Sequence, residues 1–239
     1  MNKKILFSTI TLTALVTLTA CVQNPSRKNG YYNQTSQNSQ ISQTTSASTL
    51  SPQLKSSLQY MYNEERLAKD IYLNIYKRQP IQQLYNIATR AETKHIDAVN
   101  QLAAKYALTK ANYPSGQYPE QELQNLYNRL YSKGIRSQKD ALEVGCMVEV
   151  VDINDLNKYI GQAQTSNAQD ILSVFNHLRN GSYNHYWAFD RSLKNMGVSN
   201  GCCSLGQAYC HPEYPQNSKG GQGGRGRGQG HGGYGQGRG

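Results

Sequence analysis

Four stretches of the chain repeat apolar residues at alternating steps of three and four, the spacing that lines one face of an α-helix. Leu54, Leu58, Met61, Ala68, Tyr72 and Ile75 mark the first seam, and Leu84, Ala88, Ala91, Ala98 and Leu102 the second. Ala141, Gly145, Leu156 and Tyr159 mark the third; Ile171, Val174, Leu178, Phe189 and Met196 mark the fourth. Each seam is interrupted near its middle by an ionisable residue. Glu65 stands in the first, His95 in the second with Glu92 one turn before it, Glu149 and Asp152 in the third, and His185 in the fourth. A charge on a buried face is costly unless it is paired, neutralised or bound to metal. Four such interruptions at matching depth point to one shared site.

The punctuation of the chain fits four long helices and a shorter one. Ser51-Pro52 supplies an N-cap with proline at the first helical position, and Pro80 ends that helix near Arg78. The second helix is expected from about Ile81 to Tyr106. A connection with Pro114, Gly116 and Pro119 leads to a short helix from about Glu120 to Ser132. Ser137 and Asp140 resemble a capping box for the third long helix, which is expected to reach about Gly161. Asn167 is placed as cap of the fourth and Gly197 as its terminator. Gly181 interrupts the fourth at a cost of roughly 1 kcal/mol against alanine, yet the seam keeps phase across it, which predicts one continuous helix. No stretch has the alternation of a strand. The fold class expected is all-α, a four-helix bundle with one long crossover connection and a short extra helix, over residues 51–197.

The ends of the 239-residue chain differ from this middle. Lys3 and Lys4 precede an apolar run from Ile5 to Leu18 that closes in Leu18-Thr19-Ala20-Cys21. This is the layout of a secretory signal over residues 1–20, too short for a comfortable membrane span. The closing tetrapeptide resembles a bacterial lipobox, which implies cleavage before Cys21, lipidation of that thiol and anchoring in the cell envelope. Val22 is not the aspartate of inner-membrane retention, so the outer membrane is favoured where one exists. Residues 21–50 are rich in Ser, Thr, Gln and Asn and read as a tether. Residues 220–239 alternate glycine with Arg225, Arg227, Arg238, Gln, His231 and Tyr234, a low-complexity cationic arm. Behind an export signal, nucleic acid is a poor partner for it; anionic envelope components suit it better. The formal net charge of +10 is carried mainly by these ends and says little about what the core binds.

Cysteines add a constraint. Cys146 falls near the third seam, where a buried free thiol is expected. Residues 198–219 hold Cys202, Cys203 and Cys210, the last followed by His211. In an oxidising compartment a disulfide from Cys210 to Cys202 or Cys203 is expected, with a Cys/His metal site as the alternative.

The chemistry is concentrated in Glu92-Thr93-Lys94-His95. Residues three apart share a helix face, so this carboxylate and imidazole can reach one ion together. Carboxylate oxygens mixed with imidazole suit iron or manganese, with zinc tolerated. Glu64, Asp70, Asp97 and Asp155 are read as solvated, and Trp187 as packing.

Several segments resemble the ferritin-like di-iron carboxylate superfamily. These are Glu64 to Tyr72, Ala91 to His95, Val144 to Leu156, and Gly181 to His185 through Phe189. More closely, they resemble a ferritin-like family of bacteria and archaea known as domain of unknown function 2202. The resemblance implies Glu65 and Glu149 as the single glutamates and Glu92 with His95 as one Glu-x-x-His. It departs in the fourth helix, where Ser182 stands in place of the second glutamate and leaves His185 without its carboxylate partner. Asp152, one turn after Glu149, is the candidate to supply that oxygen. The resulting metal set is Glu65, Glu92, His95, Glu149 and His185, with Asp152 in addition, around one ion or an asymmetric pair. Two functions follow: an envelope metalloenzyme acting on ferrous iron, dioxygen or peroxide, or a non-enzymatic lipoprotein with a structural or vestigial metal site.

Overall fold

The computed structural model describes residues 50–110 and 112–216. The expected signal, Cys21, the tether and the Gly/Arg arm lie outside them. The described residues are helical and contain no strand, so the all-α class holds.

Helix α1 (Pro52–Tyr76) starts where Ser51 accepts a hydrogen bond from the Leu54 amide, at 3.2 Å. Helix α2 (Gln82–Asn86) runs without a break through a π-helical turn (Ile87–Glu92) into α3 (Thr93–Lys105). Helix α4 (Gln121–Gly134) follows the proline-containing connection. At the start of α5 (Gln138–Thr165), the Ser137 hydroxyl accepts from the Asp140 amide at 3.0 Å and donates to its carboxylate at 2.9 Å. Helix α6 (Gln169–Asn195) passes through Gly181 uninterrupted, and Gly197, at φ +88°, turns the chain away from its end.

Two helix ends differ from the sequence expectation. Helix α5 continues a turn past Gly161, because a glycine there meets no side chain and nothing forces a stop. Asn167 does not cap α6. It adopts φ +51°, the left-handed conformation that asparagine tolerates, and Ala168 holds the N-cap position.

Helix α1 packs against α3 and α5, and α6 against α3 and α5, while α4 braces α1 and α5. The core falls into two apolar clusters. One gathers Ile71, Tyr72, Leu84, Val144, Phe189 and Leu193. The other gathers Leu54, Leu58, Val99, Leu156, Phe175 and Leu178. On α1, on the second long helix and on α6 the ionisable interruption lies at the passage from one cluster to the other, and on α5 Glu149 and Asp152 lie shortly before it, so the polar residues form a layer inside the hydrophobic interior.

Beyond α6, the segment through Tyr214 packs back on the helices. Tyr186 donates to the Tyr209 carbonyl and Trp187 to the Tyr214 carbonyl, so Trp187 is a hydrogen-bonding anchor as well as packing. Two disulfides fasten this segment: Cys146–Cys202 and Cys203–Cys210. The second is one of the expected pairings. The first corrects the reading of Cys146 as a free thiol: the return of the chain over α5 puts Cys202 beside it, a proximity that seam periodicity cannot reveal. With all three C-terminal sulfurs in disulfides, the alternative Cys/His metal site has no thiolates to use.

Candidate metal centre

Glu65 (α1), Glu92 (the end of the π turn), His95 (α3), Glu149 (α5) and His185 (α6) are brought together, all at most 9 % exposed. Their ligand atoms form two triads, Glu65/Glu92/His95 and Glu92/Glu149/His185, each within 4.8 Å. Glu92 belongs to both. Its Oε2 lies 3.2 Å from His95 Nδ1, and its Oε1 lies 3.1 Å from His185 Nδ1. Glu65 Oε2 stands 3.2 Å from His95 Nδ1, and Glu149 Oε1 3.4 Å from His185 Nδ1. The two imidazoles stack with centroids 5.7 Å apart.

Several of these groups approach without pairing. His185 Nδ1 and Glu92 Oε1 are close but misaligned for a hydrogen bond, and each is left unsatisfied, as is Glu65 Oε1. Buried polar atoms normally find partners, so a cluster of orphans aimed inward asks for an ion between them. Two ligands each about 2.1 Å from one ion and about 90° apart lie about 3 Å from each other, close to the spacings observed. The donor set therefore fits iron or manganese, with zinc tolerated.

Electrostatics agree with a site built for cations. Burial pushes the Glu65 carboxyl up to about 7 despite the opposing pull of His95. Burial also raises Glu149, with His185 opposing it. For Glu92 burial would act the same way, but His185 and His95 together hold it below the ordinary carboxylate range. Burial opposes charge on the histidines too, yet Glu149 and Glu92 drive His185 up to about 10, and Glu65 and Glu92 drive His95 well above its ordinary value. Burial and the facing carboxylates and imidazoles thus make this a proton-balanced cluster, in which a bound cation would compete with protons.

The surroundings lock the ligands. Tyr72 donates to Glu149 Oε1 at 2.6 Å, and its ring lies 5.4 Å from that of Phe189. Phe189 in turn fits over Gly145, where a Cβ would come within 2.4 Å of it. Asp152 joins neither triad. It accepts a hydrogen bond from Ser182, so the residue standing in place of the second glutamate ties Asp152 to α6. Its other oxygen has no partner, and burial together with Glu65 and Glu149 raises its carboxyl well above the ordinary range.

Three features were not read from the sequence. Glu64 is buried rather than solvated, with no hydrogen-bond donor to either oxygen, and burial beside Asp152 and Asp155 raises its carboxyl strongly. The signal was present, since Glu64 is three residues after Met61 and four before Ala68. Asp155 is half-buried beside it, whereas Asp97 is exposed. Asp70 instead pins the crossover connection, accepting from the Gly116 amide at 3.0 Å and the Tyr118 hydroxyl at 2.8 Å. The π turn shifts the second seam. Ile87, Glu92 and Val99 take the buried face, and Ala91 and Ala98 move to its flank. Such turns recur at functional sites, and this one delivers Glu92 to the centre. Gly181 is the third: a Cβ there would lie 2.5 Å from His95 Nε2. The glycine lets α6 approach the imidazole.

Helices on all sides of a buried carboxylate and histidine layer define an all-helical protein with a candidate metal centre. The chain belongs to the family described as "Uncharacterized protein domain (DUF2202)", whose pattern matches residues 55–210. It is 40 % identical over 150 residues to uncharacterized protein MJ0754 of Methanocaldococcus jannaschii, covering 62 % of this chain and 79 % of that one. The crystal structure of hypothetical protein MJ0754 superposes with a TM-score of 0.59 at 39 % identity, over 62 % of this chain and 83 % of the other.

Proposed function

We propose that this chain is a ferritin-like four-helix bundle protein that holds a pair of transition-metal ions, iron or manganese, for redox chemistry on ferrous iron, dioxygen or peroxide. The observation that carries the reading is the division of Glu92 between two triads, one oxygen toward each histidine. A carboxylate so placed can bridge two ions, with Glu65 and His95 completing one side and Glu149 and His185 the other. Ions held there would act as Lewis acids with coordination positions free for small ligands. The protein's own part is to hold the ligands in place through Tyr72 and Phe189. The apolar leader over residues 1–20, followed by Cys21, supports lipid anchoring of this bundle in a cell envelope, with the outer membrane favoured where one exists.

The test is metal content. Natively purified protein should contain iron or manganese, or take up two divalent ions per chain on titration. Glu92→Ala should lose both while its far-ultraviolet helical signal survives. Wild-type protein that neither contains nor takes up iron, manganese, cobalt or zinc would leave a hydrogen-bonded Glu/His core with no metal function.

A further inference from the structure

Helix α5 carries a file of acids that continues past the centre. Glu149, Asp152 and Asp155 follow one another at steps of three, which keeps each beside the next on the helix surface. Glu149 and Asp152 are buried, and Asp155 is half-buried, so the file runs from the interior toward solvent. Glu64, the sequence neighbour of Glu65, meets it from α1. Glu64 is 3 % exposed, and neither of its oxygens has a hydrogen-bond partner. Its carboxyl lies within hydrogen-bonding reach of that of Asp155, and the strongest charges acting on it are those of Asp152, Asp155 and Glu65. Asp152 Oδ1 is buried without a partner as well.

Carboxylates gathered in this way need a proton or a cation to offset their charge. The protein supplies little: Lys158 acts on Asp155, but it is exposed, and Glu122 acts there in the opposite sense. A proton shared by Glu64 and Asp155 would satisfy one of the orphaned oxygens. The other Glu64 oxygen and Asp152 Oδ1 would still have no donor. A hydrated cation does more, because it takes carboxylate oxygens as ligands while its water molecules donate to those that remain. The three acids do not close into a triad like those of the centre, so water has to complete such a shell. Every side-chain donor here is an oxygen, whereas the centre adds imidazole. An all-oxygen set suits a hard ion such as calcium, magnesium or manganese and has little to offer zinc.

We propose that Glu64 and Asp155, with Asp152 on the inner side, hold a hard divalent cation in a site separate from the two triads. The site does not depend on the metal reading of the centre, since Glu64 and Asp155 belong to neither triad.

The experiment titrates the purified protein with terbium(III), a hard cation whose emission is excited through nearby tyrosine, with calcium as competitor. Tyr60 and Tyr159 flank the acids, their rings edge to face at 6.0 Å. Wild-type protein should give tyrosine-excited terbium emission that calcium suppresses. Glu92→Ala, which lacks the carboxylate common to both triads, should keep it. Glu64→Gln and Asp155→Asn should each bind terbium at least about tenfold more weakly, because each loses a charged ligand. Asp155→Asn, which is half-buried and keeps its size, decides the matter if Glu64→Gln does not fold, and it should take up zinc as wild type does. Asp97→Asn, the loss of an exposed carboxylate on α3, should leave terbium binding unchanged. Unaltered terbium affinity in Asp155→Asn, or emission lost in Glu92→Ala, overturns the site. Wild-type protein that takes up zinc but gives no terbium emission overturns it too, leaving the centre standing and Glu64 and Asp155 as a pair that shares a proton.

Discussion

Gly181→Ala separates what a helix prefers from what the centre needs. Alanine in a helix interior is favoured over glycine by about 1 kcal/mol, so on propensity alone the variant gains stability. The new methyl would lie 2.5 Å from His95 Nε2 and 2.7 Å from Cε1, and ordinary contact begins near 3.4 Å, so the ring must give way by 0.9 Å. Its retreat is restricted. His95 Nδ1 is already 3.2 Å from Glu65 and from Glu92, so there is little room behind the ring. The imidazole must therefore swing, or α6 must back away. Overpacking of this kind costs about 1–3 kcal/mol, which offsets the propensity gain and leaves the metal-free variant between unchanged and about 2 kcal/mol less stable. The metal suffers more. Disturbing a group that only supports a ligand costs 10–100-fold in affinity, and here the ligand itself moves, so a loss of at least about tenfold, or ~1.4 kcal/mol, is expected. Calorimetric zinc titration and thermal melting of wild type, Gly181→Ala and Gly161→Ala check this. At Gly161 a Cβ meets nothing, so that variant should gain the propensity term with unchanged zinc binding. Gly181→Ala that melts higher and binds zinc as wild type does would refute the packing of His95 on Gly181.

Three other outcomes are expected. Cys146→Ala/Cys202→Ala opens a link spanning 56 residues and should cost about 4 kcal/mol in denaturant unfolding, against about 2 kcal/mol for Cys203→Ala/Cys210→Ala, which spans 7; equal losses would count against the loop-entropy account. Burial would raise the Asp140 carboxyl, but hydrogen bonds from Lys133 and Ser137 hold it at about 2, below its unfolded value. Its contribution is therefore present above about pH 4 and fades as pH falls through 2, so Lys133→Met should be less stable than wild type at pH 7 and converge with it in acid. After solvent screening the difference at pH 7 should be about 1 kcal/mol, and a gap that stays constant down to pH 2 would assign it to packing alone. Cys21→Ala should move the protein from the membrane fraction to the soluble one; a variant still membrane-bound and processed as before removes the lipid anchor from the reading.

Periodicity by itself determined the number and rough bounds of the helices. The helical rhythm is imposed by burying one face, and Ser51, Ser137 and Gly197 act through local hydrogen bonds and backbone angles that need no distant partner. It also placed Glu65, His95, Glu149 and His185 on buried faces, because they share the seams of their apolar neighbours, though it read the buried Glu64 as solvated. What it could not determine is how four faces rotate against each other. The π turn inserts an extra residue into one turn of the second long helix, and only its docking against α1 shows that Glu92 faces inward and is shared by both histidines. Cys146 looked like a core thiol until the chain returned over α5. Gly181 looked like a flaw in a helix until His95 filled the space its missing side chain leaves. Each of these depends on contacts between residues far apart in sequence, and a one-dimensional pattern holds the residues of such contacts without their distances.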